Sequence, residues 1–135
     1  MLGVLGFAAM LVIAAGAALL REAPSLAPAD TPAIGNIRTI DGDTLEIGGM
    51  RVRLADIDAP ELFSPQCAAE RALAERARIR LAELVSAGPV TLSGTGKDLY
   101  RRELRVVLAA GQSVGLVLVH EGLAREWTGR REPWC

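Results

Sequence analysis

Residues 39–61 read TIDGDTLEIGGMRVRLADIDAPE, and their pattern indicates an antiparallel meander of three short strands. The DGD sequence at residues 41–43 is a tight-turn signal, and the glycine pair at residues 48–49 is a second one. In the strand that follows, MRVRL at residues 50–54, apolar residues alternate with arginines, so one face is apolar and the other is cationic. This segment therefore predicts a β-rich fold.

The same segment contains six acidic residues, most of them near its two ends. Carboxylates gain little on a half-buried strand surface. The ends of a meander fold back together, so we expect Asp43 and Asp58 to face each other. Like charges held close repel unless a cation neutralises them, and oxygen ligands without His or Cys favour a hard cation such as Ca²⁺ or Mg²⁺. The alternative, that Asp41 and Asp43 cap their own turn backbone, stays open from the residues alone.

Two arginines and one further acid extend this pattern. Arg53 projects from the third strand, Arg102 precedes a later strand, and Glu61 follows in a loop after the meander. A guanidinium fork binds a phosphate through two hydrogen bonds, and a free carboxylate can orient or deprotonate water. Together with a cation, these groups suit phosphodiester hydrolysis. The alternatives are a solvated strand end for Arg102 and an exposed loop acid for Glu61.

The remainder of the chain adds two helices and two strands to the meander. Apolar residues recur every three or four positions between Ser64 and Gly88, which predicts a helix with these two residues at its ends. Residues 90–94 (VTLSG) and 103–110 (ELRVVLAA) indicate strands; residues 113–122 fit a strand or a helix by pattern, and their end signals favour a short helix. This order in about 100 residues predicts a mainly β fold with helices (α+β), a five-stranded oligonucleotide-binding (OB) barrel.

The chain of 135 residues divides into three parts. Residues 1–20 carry no charged side chain, which predicts an export segment, either a cleaved signal peptide or an uncleaved membrane anchor. Residues 21–33 are rich in Pro and Ala and indicate a linker, so the folded domain is assigned to residues 34–135. We therefore expect an exported protein of the cell envelope, membrane-anchored, periplasmic or secreted.

Charge and cysteine content argue against two classes of protein. A count of 15 Lys+Arg against 16 Asp+Glu leaves a formal net charge of −1, unlike the strongly basic coat of a non-specific nucleic-acid-binding protein. With 2 cysteines and 1 histidine, the chain lacks the clustered ligands of a His/Cys metal centre. In an exported domain the even count predicts a disulfide between Cys67 and Cys135, whereas two free thiols are the alternative in a reducing compartment.

Three stretches of the sequence resemble the staphylococcal-nuclease (thermonuclease) family: IDGDTLEI…RVRLADIDAPE, KDLYRREL and SVGLVLVHEGLA. The likeness covers residues 34–127 and implies a five-stranded OB barrel with helices. It also implies a Ca²⁺-dependent nuclease that cleaves DNA and RNA with low sequence specificity, and we expect a monomer. The roles that the resemblance implies are Ca²⁺ ligation by Asp43, Asp58 and the Ala59 carbonyl, catalysis by Arg53, Glu61 and Arg102, nucleotide contact by Tyr100, and support of the metal ligands by Asp41.

The sequence departs from the family pattern in the second of these stretches. Arg101 stands where the family has the glycine of D-x-Y-G-R, so we expect a change in the loop that aims Arg102. Leu99 stands where relatives carry a phosphate-binding lysine. Two alternatives to a nuclease remain. One is a non-catalytic nucleic-acid-binding OB module tethered to the membrane, and the other is a membrane-tethered adaptor that binds protein.

Overall fold

The computed structural model describes residues 30–135. The predicted export segment at residues 1–20, and the predicted linker up to residue 29, lie outside the described residues. Within residues 30–135, no helix combines the length and the apolar character needed to cross a bilayer.

The described chain folds into a strand-rich sheet with two helices. Its elements are, in chain order, β1 (Thr31–Pro32), β2 (Ile37–Asp41), β3 (Thr44–Ile47), β4 (Met50–Leu54), β5 (Ile57–Asp58), α1 (Ala68–Ser86), β6 (Val90–Ser93), β7 (Glu103–Ala109), β8 (Gln112–Ser113), α2 (Val114–His120) and β9 (Arg125–Glu126). The main sheet has the order β1-β6-β7-β4-β3-β2, with β8 paired to β7, and β5 pairs with β9 separately. Strands β4 and β7 are parallel.

The predicted fold class is confirmed. The meander forms β2, β3 and β4, and the two later strands form β6 and β7, with a helix after each group. This arrangement fits the OB type. Strand pairing among residues 30–135 does not close the sheet, because β1 and β2 lie at opposite ends of the pairing order. Strand β1, which falls in the predicted linker, extends the sheet beside β6.

The apolar faces of the meander and of α1 form the core. Val52 and Leu54 of β4 have no exposed surface, and Ala77 and Leu81 of α1 belong to the same buried cluster. These residues follow the alternation and the helical spacing that the sequence shows. Alternation along β4 places Arg53 on the opposite face from its two neighbours, where the candidate site lies.

Helix α1 begins later than the sequence predicts. Its N-cap is Cys67 rather than Ser64. The buried carboxylate of Glu70 accepts the backbone N–H groups of Glu61 and Gln66 at 3.0 and 2.7 Å. These bonds hold the preceding segment in a loop outside the helix. A buried acceptor for two backbone N–H groups therefore outweighs the Ser-Pro start signal.

The C-terminus of α1 differs from the sequence prediction by one residue, whereas both ends of α2 agree with it. The C-cap of α1 is Ala87 with φ −76°, whereas Gly88 was expected to end the helix in the left-handed region. The prediction for α2 is confirmed. Ser113 is its N-cap and accepts the Leu116 N–H at 3.1 Å, and Gly122 follows its C-terminus with φ 74°.

Candidate active site

The turn between β2 and β3 lies directly against α1 and the chain segment after β5. A Cβ atom placed on Gly42 would lie 2.8 Å from Ala77 Cβ and 2.9 Å from Ala59 Cβ, so a larger residue would push the turn away. The close approach lets Asp43 Oδ2 accept the Ala59 backbone N–H at 3.0 Å. The turn is thereby joined to the segment that carries Asp58.

The structure brings Asp43 and Asp58 together, with Arg53 between them. The two acids are only 8% and 3% exposed. Arg53 Nη2 lies 3.2 Å from Asp43 Oδ2 and 3.7 Å from Asp58 Oδ1. Its Nη1 donates to the backbone carbonyls of Leu54 and, at 2.9 Å, of Ile57. These contacts hold the planar guanidinium in one orientation between two like charges.

The acids of the site are poorly solvated and close to one another. Burial raises the pKa of Asp58; the positive charge of Arg131 opposes this rise, Asp43 adds to it, and Arg53 also opposes it. Burial raises the pKa of Asp41 to about 6, and the charge of Asp43 adds to the rise. Asp41 Oδ1 also accepts the Asp43 N–H at 3.1 Å, so Asp41 caps the turn backbone. A cation placed here would be stabilised by all three carboxylates.

The oxygen atoms around this pair fit a hard cation. Within residues 30–135, no three His, Cys, Asp or Glu side chains form a group that could hold a metal ion, so Asp43 and Asp58 would need a backbone ligand. The Ala59 carbonyl lies in the same cluster, 3.5 Å from Arg131 Nη2. Asp58 Oδ1 is buried and accepts no hydrogen bond from the described residues, and its ion-pair partners are the guanidinium groups of Arg53 and Arg131, so the charged groups in contact with this oxygen are cations. Two carboxylates and a carbonyl, completed by water, suit Ca²⁺ or Mg²⁺.

Asp98 holds the loop that carries Arg102. Its Oδ1 accepts the backbone N–H groups of Tyr100 and Arg102 at 2.9 and 3.0 Å, and its Oδ2 accepts Arg102 Nε at 2.6 Å. Burial raises the pKa of Asp98, but these hydrogen bonds outweigh burial and leave the pKa below its usual value. The parallel pairing of β4 and β7 then lets Arg102 Nη1 donate to Thr44 Oγ1 at 3.4 Å, next to Asp43.

Arg101 takes the backbone conformation that a glycine would favour at its position. Its φ is 65°, in the left-handed region, and its N–H donates to the Asp98 carbonyl at 3.0 Å. Such a conformation costs a residue with a Cβ about 1–2 kcal/mol. The loop therefore keeps its turn without the glycine of the family pattern, and Arg102 still lines the site.

The predicted catalytic side chains line one cleft of about 470 Å³. The Tyr100 ring is highly exposed at its rim, and the Arg102 guanidinium lies 5.5 Å from the ring centroid. Asp58 and Ala59 do not line the cleft themselves; Asp58 pairs with Arg53 and the Ala59 N–H donates to Asp43, and both of these partners belong to its wall. The residues of that wall include Asp41, Asp43, Arg53, Glu61, Asp98, Leu99, Tyr100, Arg102, Trp127 and Arg131.

Three residues of the site carried no role in the sequence analysis. They are Asp98, which holds the Arg102 loop, Glu70, which holds the Glu61 backbone, and Arg131, whose side chain contacts Glu61. An Asp at the start of a turn is a recognisable signal for the first. Arg131 lies in a segment without any apolar period, so no local pattern marks it.

Comparisons of the sequence with known proteins identify related nucleases. A model of the family described as staphylococcal nuclease homologue matches residues 51–133. A protein named micrococcal nuclease from Shigella flexneri is 35% identical over 130 residues, which cover 87% of this chain and 69% of that protein. An uncharacterized endonuclease of Haemophilus influenzae is 36% identical over 93 residues, or 65% of this chain and 48% of that protein. Endonuclease YncB of Bacillus subtilis is 38% identical over 95 residues, or 65% of this chain and 44% of that protein.

The fold is of the OB type, and its cleft combines two arginines with neighbouring buried carboxylates. The chain belongs to the staphylococcal nuclease family. It spans about half the length of the Haemophilus and Bacillus relatives.

Proposed function

We propose that this protein is a Ca²⁺-dependent nuclease that hydrolyses phosphodiester bonds in DNA and RNA with low sequence specificity. The observation that carries the proposal is the convergence of Arg53, Arg102 and Glu61 on one cleft, beside the buried pair of Asp43 and Asp58. A site that only binds nucleic acid gains nothing from buried carboxylates, because they repel phosphate. The family, and relatives named nuclease and endonuclease, support hydrolysis as the reaction.

Each side chain has a role that follows from its chemistry. Arg53 and Arg102 bind phosphate oxygens through paired hydrogen bonds and stabilise the negative charge that grows there during the reaction. Glu61 orients or deprotonates the attacking water. A bound Ca²⁺ supplies further stabilisation of the same charge. Its ligands are Asp43, Asp58 and the Ala59 carbonyl.

The rim of the cleft suits a nucleotide of any sequence. Tyr100 and Leu99 are 81% and 98% exposed, and Trp127 beside them is 41% exposed. The aromatic rings of Tyr100 and Trp127 can stack on any base, because every base has a π-face. The formal net charge of −1 provides no general attraction for the phosphate backbone. Binding therefore depends on contacts at the cleft, with Tyr100 against the nucleotide.

We propose further that the protein is a monomer exported to the cell envelope. Residues 1–20 serve as a signal peptide or, if uncleaved, as a membrane anchor. The disulfide between Cys67 and Cys135 supports an oxidising compartment. Cell fractionation tests this location, and sequencing of the mature N-terminus distinguishes a cleaved signal from an anchor. Recovery in the cytoplasmic fraction would contradict it.

Substitution of each arginine by lysine tests the proposed reaction. Arg53→Lys and Arg102→Lys keep the positive charge but lose the planar fork, so we expect cleavage to fall by about 10²–10³-fold in variants that still fold. Arg51→Lys is the matched control, because Arg51 is an exposed residue of the same strand β4. The measurement is cleavage of labelled DNA and RNA in Ca²⁺ and in chelator.

Two outcomes would contradict the assignment. A near wild-type rate in either lysine variant would exclude a role for that arginine's guanidinium in the reaction. Binding of oligonucleotide by the wild type, without cleavage in any cation, would identify a non-catalytic OB module instead.

A further inference from the structure

Arg131 occupies the centre of the site although it belongs to the C-terminal tail. Its Nε lies 3.3 Å from Asp58 Oδ1, and its Nη1 contacts Glu61 Oε1. Its Nη2 donates to the Ala59 carbonyl at 3.5 Å. The Arg131 guanidinium therefore contacts Asp58 and the Ala59 carbonyl, which are the proposed Ca²⁺ ligands. It also contacts Glu61, the carboxylate proposed to act on water.

The tail is fastened before Arg131 by β-pairing. Strand β9 pairs with β5, with Arg125 opposite Asp58. The Trp127 backbone N–H then donates to the Asp56 carbonyl at 2.9 Å. The tail therefore starts beside the very segment that carries the acids of the site.

The tail is fastened again after Arg131 by its last residues. Cys135 is joined to Cys67, the N-cap of α1, by a disulfide. The Trp134 ring lies 3.7 Å from the Arg125 guanidinium, which also donates to the Pro133 carbonyl at 2.9 Å. Because both ends of this short segment are fixed, Arg131 is confined to the neighbourhood of the acids.

We propose that Arg131 is a tethered internal cation that competes with the divalent metal for Asp58 and the Ala59 carbonyl. The inference rests on the metal site of the proposed function. A guanidinium held against these oxygens competes with the metal for their lone pairs, and its positive charge repels the metal. The tether gives Arg131 a high effective concentration, so it weakens metal binding more than a free guanidinium would. Its side chain is 51% exposed, which leaves it room to swing into solvent when the metal binds.

The test is a comparison of two neighbouring arginines by calorimetric titration of the full chain with Ca²⁺. Arg131→Gln removes the competing cation, so we expect it to bind Ca²⁺ about tenfold more tightly than the wild type. Arg130→Gln is the control. It removes the same formal charge one position earlier, where the side chain is 81% exposed and pairs with Glu132 at 2.8 Å. We expect it to bind Ca²⁺ as the wild type does.

The outcomes separate this inference from the proposed function. Equal or weaker affinity in Arg131→Gln than in Arg130→Gln would overturn competition by Arg131 and leave the metal site standing. Absence of Ca²⁺ binding in all three proteins would overturn the metal site, and this inference with it.

A second variant tests the tether itself. The double substitution Cys67→Ser and Cys135→Ser opens the disulfide, and serine at position 67 still serves as an N-cap. We expect this variant to bind Ca²⁺ severalfold more tightly than the wild type, with no added effect in the Arg131→Gln background. Trp134→Ala loosens the same segment with the disulfide intact and should shift the affinity in the same direction. Wild-type affinity in folded forms of both variants would overturn the role of the tether.

Discussion

At the scale of single residues, the site depends on the missing Cβ atom of Gly42. The turn touches Ala77 of α1 and Ala59 after β5 because hydrogen alone occupies that side of residue 42. This contact brings Asp43 to the Ala59 N–H. Gly42 therefore has two effects: it permits the tight turn, and it allows the two ends of the meander to approach each other closely.

Gly42→Ala should destabilise the fold by about 1–3 kcal/mol, because its Cβ would overlap two neighbouring Cβ atoms. Ca²⁺ affinity should fall as well, since the turn must move away from Ala59. Urea unfolding measures the first effect and calorimetry the second. Gly88→Ala is the control, because its Cβ would meet open space and its φ is not left-handed. Equal stability of the two variants would show that the turn accommodates a Cβ atom at residue 42 without a steric clash.

At the scale of elements, the start of α1 positions the loop that carries Glu61. Glu70 lies in the first turn of the helix and is 3% exposed, and both of its oxygens accept backbone N–H groups of that loop. These hydrogen bonds from Gln66 and Glu61 lower the pKa of Glu70. The start of α1 therefore positions the loop of Glu61, the carboxylate proposed to orient or deprotonate water.

Glu70→Gln should lower stability by about 1–3 kcal/mol at pH 7. Each oxygen of the Glu70 carboxylate accepts one backbone N–H, whereas glutamine has a single side-chain oxygen and leaves one N–H without its acceptor. The folded-state pKa of Glu70 lies below its usual value of 4.5, so the ionised carboxylate stabilises the fold above that pH. This contribution is lost as the pH falls through the folded-state pKa, and the variant and wild type should converge there. Denaturant unfolding at several pH values measures the difference.

The matched control for this prediction is Glu75→Gln on the same helix. Glu75 makes an exposed pair with Arg78, so its loss should leave stability close to that of the wild type. A difference between Glu70→Gln and wild type that persists unchanged at low pH would contradict the role of the ionised carboxylate.

At the scale of the whole molecule, the predicted disulfide joins the tail to α1. Cys67 and Cys135 are 68 residues apart, so the bridge closes a loop that contains α1, α2 and four strands. The tail has little regular structure of its own after β9. Its position over the site therefore depends on this bridge and on the packing of Trp134.

Reduction of the disulfide should destabilise the protein by about 4 kcal/mol, as chain entropy predicts for a loop of this length. Thermal unfolding with and without a thiol reductant measures the effect, and the Cys67→Ser, Cys135→Ser double variant should not respond to the reductant. Alkylation of folded protein without reductant, followed by mass spectrometry, provides an independent check. Two alkylated cysteines in folded protein would rule the bridge out.

Features that depend on neighbouring residues could be predicted before the chain is folded. Turn chemistry and alternation predict the meander, and with it the meeting of Asp43, Arg53 and Asp58, because these residues lie within one short antiparallel unit. End signals also predict α2 correctly. The residue pattern also singled out Arg102, and the family resemblance added Tyr100; both lie outside that unit.

Features that depend on contacts between distant segments could be seen only in the folded protein. The start of α1 moved because the buried Glu70 competes for backbone N–H groups, and local cap preferences cannot anticipate such a partner. Parallel pairing of β4 with β7 brought Arg102 to the turn. The disulfide and β9 brought Arg131 to the acids. The physical reason is that side-chain pairing over long sequence separations leaves no period in the chain, whereas turns and strands do.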